Sequence, residues 1–381
     1  MSIRAAGAAA GVAAVLLAAT ACGTPGPSKK SGSSGSGPIK IAVVDAQSGQ
    51  LSSLGAWEYK GAKLAVNQRN KAGGIHGRKI KLDVFDDQGD PTTGTNLARK
   101  IASEGYVAMI GTAESAVTLA MAPILRQEEI PNITSGQSPA MPALGSPFLF
   151  LNGPTSTTYD ETLARYVVDT KGMKSIAMIT NNGSYGKGEH EAFLAALDKR
   201  GVKPVADQVV TTDQKDFSAA LTAIRSKNPQ VLFLGAEEVE SGLIAKQARD
   251  LGITATLAGA APQGTPVFAS TAGAANVEGT IASTPYLSND ATAAAKKFAA
   301  AYRAAYKQDP ELHGAKAYDG ANIVLAALDR SRVATGRKLA DAIRGTKYKG
   351  LLGTFAYDHT GVGIFETAIG TIKGGKLVAA Q

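Results

Sequence analysis

The chain runs to 381 residues, 44% of them hydrophobic, which exceeds the size at which a single core stops growing, so two lobes of ordinary domain size are expected. Of the formal net charge of +8, three units come from Arg4, Lys29 and Lys30 in the first 37 residues, where no acid stands, which leaves +5 on the rest. The remaining lysines and arginines are spread singly along helix-like segments, without the basic stripe and interleaved aromatics of a nucleic-acid surface, so nucleic acid is not expected as a partner.

The first element is a leader. "MSIR" carries a positive charge, "AAGAAAGVAAVLLAA" is apolar, and "TAC" ends on small residues before Cys22. This pattern predicts a secretory signal over residues 1–21 and not a spanning helix. Cys22 is the single cysteine, so it makes no internal disulfide. The stretch "AATAC" resembles a bacterial lipobox, although Ala19 stands where leucine is usual. That resemblance implies a diacylglyceryl group on Cys22. The stretch that follows, "GTPGPSKKSGSSGSG", makes residues 22–37 a flexible tether. Its length spans roughly 20 Å root mean square, enough to free a domain from a membrane surface. No later segment approaches 18 apolar residues in a row, so everything past the tether is expected to be soluble and extracytoplasmic.

From Ile39 onward short β-branched runs alternate with helical patterns, which predicts βαβ units and a parallel sheet. Strands are expected at 39–45, 79–85, 107–111, 175–180, 204–210, 230–235 and 279–283. The helix carrying Ala62, Ala65, Val66 and Arg69 should stop at Gly73 and Gly74, with Ile75 packing back on it. In "DDQGDP", Asp90 reads as an N-cap with Pro91 at the first helical position. The nearby carboxylates lack the alternating-oxygen spacing of a calcium loop, so no metal is expected there. The alternation pauses at "FLFLNGPTS" (148–156) and at "IASTPYLS" (281–288), which read as crossings between lobes. After the second crossing come two helices and then the paired strands "GTFAYD" and "ETAIGTIKGGKL". Two lobes with several crossings make a hinge.

One junction stands apart. "GTAESAVT" (111–118) sits where a buried strand hands over to a helix N-terminus, a place that suits an anion. Ser115 there either caps its own helix or reaches a ligand. Catalytic signatures are missing: "NGSYG" lacks the first glycine of a nucleophile elbow and "GKGEHE" lacks the third glycine of a dinucleotide fingerprint. His76, His190, His313 and His359 are scattered without metal-ligand spacing. Neither a cofactor nor a catalytic residue is expected.

The stretches "IKIAVVDAQSGQLSSLGAWEYKGAKLAVNQRNKAGGIHG", "FDDQGDP", "DFSAALTAIRSKNPQVLFLG" and "AYDGANIVLAALDRS" resemble the type I periplasmic solute-binding proteins, in particular the leucine/isoleucine/valine-binding branch that serves ABC importers. The resemblance implies an α/β fold of two doubly wound, Rossmann-like lobes joined by a multi-strand hinge. The first lobe would take residues 38–153 and 285–363, and the second 154–284 and 364–381. It also implies a ligand at the carboxyl ends of the strands, where open α/β sheets bind. Ser115 matches the family's carboxylate-binding serine. Gly136 and Ser138 match its carbonyl and hydroxyl contacts, and Tyr185 the tyrosine that covers the ligand. Leu54 stands where relatives place an aromatic at the mouth, and "GAAPQG" (259–264) lacks the family's ammonium-binding glutamate. Glu237 or Glu238 could replace that charge, or serve as helix-start acids stabilised by the dipole.

The resemblance therefore implies a monomeric, lipid-anchored receptor that closes on a small solute and presents it to an ABC permease, with no reaction. A branched-chain or other small apolar amino acid comes first as ligand, and an unaminated carboxylate second. A ligand-sensing receptor subunit and, last, a secreted hydrolase are the readings from other classes. Because stable anchoring takes two acyl chains, Cys22→Ala is expected to abolish lipid labelling and release the protein to the soluble fraction. A variant that stays labelled and membrane-bound would refute the anchor.

Overall fold

The computed structural model of the chain describes residues 37–287, 292–364 and 367–380. Cys22, the leader and all of the tether but its last residue lie outside the described residues.

Apolar runs buried on both faces form parallel strands with helices on either side. The first five are β1 (Ile39–Asp45), β2 (Ile80–Asp86), β3 (Ala108–Ile110), β4 (Asn132–Thr134) and β5 (Leu149–Leu151). They make one parallel sheet in the order β2-β1-β3-β4-β5. Their connections are α1 (Ser52–Lys71), α2 (Pro91–Ser103), α3 (Ser115–Gln127) and the short α4 (Ala140–Ala143). The chain then leaves through α5 (Ser156–Ala164) and builds β6 (Ile176–Asn181), β7 (Ala206–Val210), β8 (Val231–Gly235), β9 (Thr256–Gly259) and β10 (Ile281–Thr284). Between these strands run α6 (Ser184–Asp198), α7 (Ser218–Arg225), α8 (Glu238–Asp250) and α9 (Pro266–Ala272).

The chain next returns to the first sheet. α10 (Ala293–Tyr306), α11 (Leu312–Arg330) and α12 (Gly336–Arg344) precede a small antiparallel sheet of β11 (Tyr348–Gly350), β12 (Gly353–Tyr357) and β13 (Gly363–Ile364). α11 joins the core beneath β1 and β3, where Ala317, Ala321 and Val324 meet Ile41, Val43 and Ile110. The last elements, β14 (Ala368–Lys373) and β15 (Lys376–Ala379), form a hairpin on the edge of the second sheet, whose order is β15-β14-β10-β9-β8-β6-β7. β14 runs antiparallel to β10, Ile281 facing Thr371. Each of the two large sheets with its helices is called a lobe below.

Local rules hold at several expected positions. Asp90 accepts the Thr93 N–H at 2.7 Å with Pro91 opening α2. α1 ends at Lys71, followed by Gly73 and Gly74 at φ +104° and +81°, and Ile75 is fully buried. Three readings are corrected. "FLFLNGPTS" supplies β5 before it crosses, because Phe148, Leu149, Phe150 and Leu151 are all buried. β9 was not anticipated, since "TLAG" has too few β-branched residues to signal a strand. "GTFAYD" and "ETAIGTIKGGKL" are not partners: β12 pairs with β11 and β13, β14 with β10 and β15.

α1 and α11 cross where a glycine is required. A Cβ placed on Gly61 would lie 2.0 Å from the Gly314 carbonyl oxygen, so only hydrogen fits. Gly61→Ala is therefore expected to force the helices apart and cost about 1–3 kcal/mol, read by denaturant unfolding; an unchanged midpoint would mean that the crossing gives way without strain.

Candidate functional site

The carboxyl ends of both sheets face one another. Between them lies a cleft of about 290 Å³, walled on the first lobe by Gln50, Leu51, Glu114 and Ala116. Asn181, Tyr185, Asp213, Glu237 and Glu240 wall it on the second. The lobes are in direct contact around it. Gln50 Nε2 donates to Asp213 Oδ1 at 2.6 Å, and Lys215 Nζ donates to Gln50 Oε1. Ser53 Oγ donates to Glu238 Oε2 at 2.9 Å. A Cβ on Gly188 of α6 would lie 2.8 Å from Pro139 Cδ, so α6 rests closely on the loop after β4. A second, mostly apolar groove of about 380 Å³, with Trp57, Pro266, Tyr286 and Leu377 in its lining, holds none of the residues expected at the site.

The first lobe's wall is organised by Asp45, at the end of β1. Its carboxyl accepts the Ala46 N–H at 3.1 Å, the Ala113 N–H at 3.3 Å and the Thr112 hydroxyl at 3.2 Å. It thereby fixes the turn that launches α3. The N-cap of α3 is Glu114, whose Oε2 accepts the Val117 N–H at 2.8 Å. Ser115 is the first helical residue, so the reading of Ser115 as the cap is corrected; its hydroxyl is buried and has no hydrogen-bond partner. In the loop after β4, Thr134 Oγ1 accepts the Gly136 N–H at 2.9 Å and Lys316 Nζ donates to the Ser135 carbonyl at 2.8 Å. Gly136 and Ser138 follow, both buried, with Ser138 Oγ making only a long 3.4 Å contact to the Ala140 N–H. Leu54 is buried inside α1, while Leu51, three residues earlier, stands on the wall.

On the second lobe Tyr185 sits in the first turn of α6, 4% exposed, its hydroxyl beside the Glu189 carboxyl. Glu237 is the N-cap residue of α8 but makes no capping bond, and it faces the cleft. Glu238 turns away from the cleft toward Ser53 and His313. The loop that carries both is braced by Gln263, whose Nε2 donates to the Ala236 carbonyl at 3.0 Å and to Ser241 Oγ at 2.8 Å. "GAAPQG", which lacks the family's acid, thus supports the loop that supplies one. Glu240 lies one turn further along, its Oε2 accepting from Asn181 Nδ2 at 2.5 Å and its Oε1 unpartnered.

Four of the lining residues are acids, Glu114, Asp213, Glu237 and Glu240, and none is basic. Burial pushes the Glu114 and Glu240 carboxyls up to about 7. Glu237 is raised by burial and then by Glu114, Glu238, Glu240 and Glu189. Behind the wall, His313 Nδ1 lies 2.9 Å from Glu311 and 3.8 Å from Glu238. These three donors could in principle hold a metal, but their own pairing of one imidazole with two carboxylates accounts for the cluster. Sequence reasoning missed Gln50, Glu114, Asp213 and Glu240; only Glu114 and Glu240, beside residues already singled out, carried a local signal.

A family model described as a periplasmic binding protein matches residues 38–376. The chain belongs to the periplasmic binding protein family. The Leu/Ile/Val-binding protein homolog 3 of Brucella melitensis is 31% identical over 333 residues, covering 85% of this chain and 88% of that one. The Leu/Ile/Val/Thr-binding protein of Salmonella typhimurium is 29% identical, covering 85% and 88%. Among solved structures, the branched-chain amino acid transporter substrate binding protein of Streptococcus pneumoniae, in complex with isoleucine, matches with a TM-score of 0.83 at 26% identity, covering 90% of this chain and 99% of that one. A solute binding protein of R. palustris in complex with benzoate matches with a TM-score of 0.83 at 22% identity, covering 90% and 95%, and shows the fold alone. This binding protein is accordingly a solute binder and not an enzyme, with the two-lobed α/β fold that the sequence resemblance implied.

The raised carboxyls have a consequence for stability. Asp87, Glu189, Glu238 and Asp319 are also pushed to about 7 by burial. A carboxyl whose folded pKa is raised keeps its proton in the native state after the unfolded chain has lost it. Its contribution to stability is fully present below about pH 4 and is lost as pH rises toward 7. Each such group weighs about 1.4 kcal/mol per pH unit within that window. The melting temperature without solute is expected to fall steadily between pH 5 and pH 7.5 in a calorimetric scan, and a rise across that range would contradict the buried-acid assignment.

Proposed function

We propose that the chain is the extracytoplasmic solute-binding component of an ABC importer, held to the membrane through Cys22, and that its lobes close on an amino acid. One observation carries the choice of ligand: the cleft wall holds acids and no base. An unaminated carboxylate would meet four acids and no base there, whereas a zwitterion brings an ammonium that a buried acid such as Glu237 can pair. The carboxylate end would turn to the N-terminus of α3, where the buried Ser115 hydroxyl is unpartnered and the helix dipole favours an anion. Gly136 and Ser138 would supply the carbonyl and hydroxyl beside it, with Tyr185 covering the ligand from the second lobe. The Leu/Ile/Val-binding names of the relatives support an amino acid as ligand. Closure follows from differential contact, since only a solute that touches both lobes favours the closed state. The closed form is then what a permease would recognise.

The reading is tested by pairing each of a panel of amino acids with its counterpart lacking the amine in a thermal-shift assay. Amino acids should stabilise, by about 2.7 kcal/mol at a hundred times the dissociation constant, and the deaminated acids should not. Ser115→Ala and Ser138→Ala should each weaken binding of the stabilising amino acid by roughly 1.5–3 kcal/mol in calorimetry. Stabilisation by a deaminated acid alone would replace the amino acid by a simple carboxylate, and wild-type affinity in both serine variants would move the site.

A further inference from the structure

We propose that the solute held in this cleft carries a second positive charge, as a basic amino acid does, and that Glu240 receives it. The inference rests on the amino-acid reading and departs from the apolar side chain expected of the sequence.

One α-ammonium needs one carboxylate. The wall presents four, and the donors that three of them find within the protein are all neutral, so none of these bonds is an ion pair. Glu114 takes the Val117 N–H, Asp213 takes the Gln50 amide, and Glu240 takes the Asn181 amide. Lys215 approaches from the rim but donates to Gln50 and not to an acid. It eases Glu240 electrostatically while Asp213 opposes it. The wall therefore holds more acid than the α-ammonium of a leucine or valine would balance.

Glu240 is also built to receive a donor. It is only 7% exposed, its Oε2 is pinned by Asn181, and its Oε1 has no partner although it belongs to the cleft lining. A buried carboxylate oxygen left unpaired is costly, and an ammonium or guanidinium N–H repays it with a charge-assisted bond. Spacing agrees with this. Glu237 and Glu240 stand three residues apart at the start of α8, which puts their Cβ atoms about 5–6 Å from one another on one helix face. A short chain bearing an α-ammonium and a terminal cation can engage both. With a volume of about 290 Å³ the cleft lies at the small end of ligand sites, which fits a single amino acid.

The test is calorimetry on the full chain, freed of solute, with L-lysine, L-arginine, L-leucine and calcium chloride as separate probes. Lysine or arginine should bind at least ten-fold tighter than leucine. Glu240→Gln should reduce that preference by ten-fold or more while leaving the circular dichroism spectrum unchanged, and 0.5 M sodium chloride should weaken lysine more than leucine. Leucine binding as tightly as lysine would overturn the second charge and leave the amino-acid reading standing. Undiminished lysine or arginine binding by Glu240→Gln would overturn the role of Glu240. A response to calcium alone, or to no probe, would overturn this proposal, and no response from any amino acid would sink the underlying reading with it.

Discussion

The first lobe's half of the site depends on one buried carboxyl. Asp45 ends β1 at the sheet's carboxyl edge and gathers N–H and O–H donors from Ala46, Thr112 and Ala113, tying that strand to the turn that starts α3. Burial raises it well above the ordinary range, and Glu58 on α1 pushes it further. Two adjacent buried carboxyls do not both ionise easily. Lys316 of α11 supplies the counter-charge; burial lowers its pKa to about 8 while Glu58 holds it up. Its ammonium then fixes the Ser135 carbonyl at the head of the loop carrying Gly136 and Ser138. A strand, two helices and the loops after β3 and β4 are thus positioned through one connected set of charges.

The second lobe uses neutral groups for the same task. Gln263 spans from the turn after β9 to the loop after β8, and Asn181 holds Glu240 from the end of β6. Glu240 is therefore oriented by a neutral donor and not by an ion pair. Such an arrangement is poor for stability in isolation and good for a site whose charge is to be met by a ligand. Among the described residues the hydrogen bonds between lobes include Gln50 with Asp213, Lys215 with Gln50 and Ser53 with Glu238, and Ala261 of the second lobe packs in an apolar cluster with Leu64 and Leu312 of the first.

Much of this architecture was legible along the chain. Strands with β-branched runs, such as "IKIAVVD" and "VLFLG", announce themselves, and Asp90 before Pro91 marks a helix start whatever surrounds it. β9 was not legible because Ala258 and Gly259 give no strand signal of their own; the strand exists because β8 and β10 flank it. The α3 cap was misread for a related reason. Serine is the commoner cap, but Asp45 rotates the turn so that Glu114 reaches the helix N–H groups first. Tyr185 and Glu237 were found through family likeness, and both line the cleft. Gln50 and Asp213 lie 163 residues apart, and no local pattern connects them.

The three passages of the chain between lobes bear on the order in which the molecule is assembled. The first lobe's core joins Ile39 to Tyr357, with every residue from α5 to β10 intervening. That lobe is discontinuous, and its nucleus must wait for α11 to emerge from the ribosome. The second lobe, by contrast, draws five consecutive strands from one uninterrupted stretch and lacks only the edge hairpin of β14 and β15. Loop-closure entropy favours the contiguous unit. The second lobe should therefore collapse first, and the N-terminal half compact only once its second segment has followed.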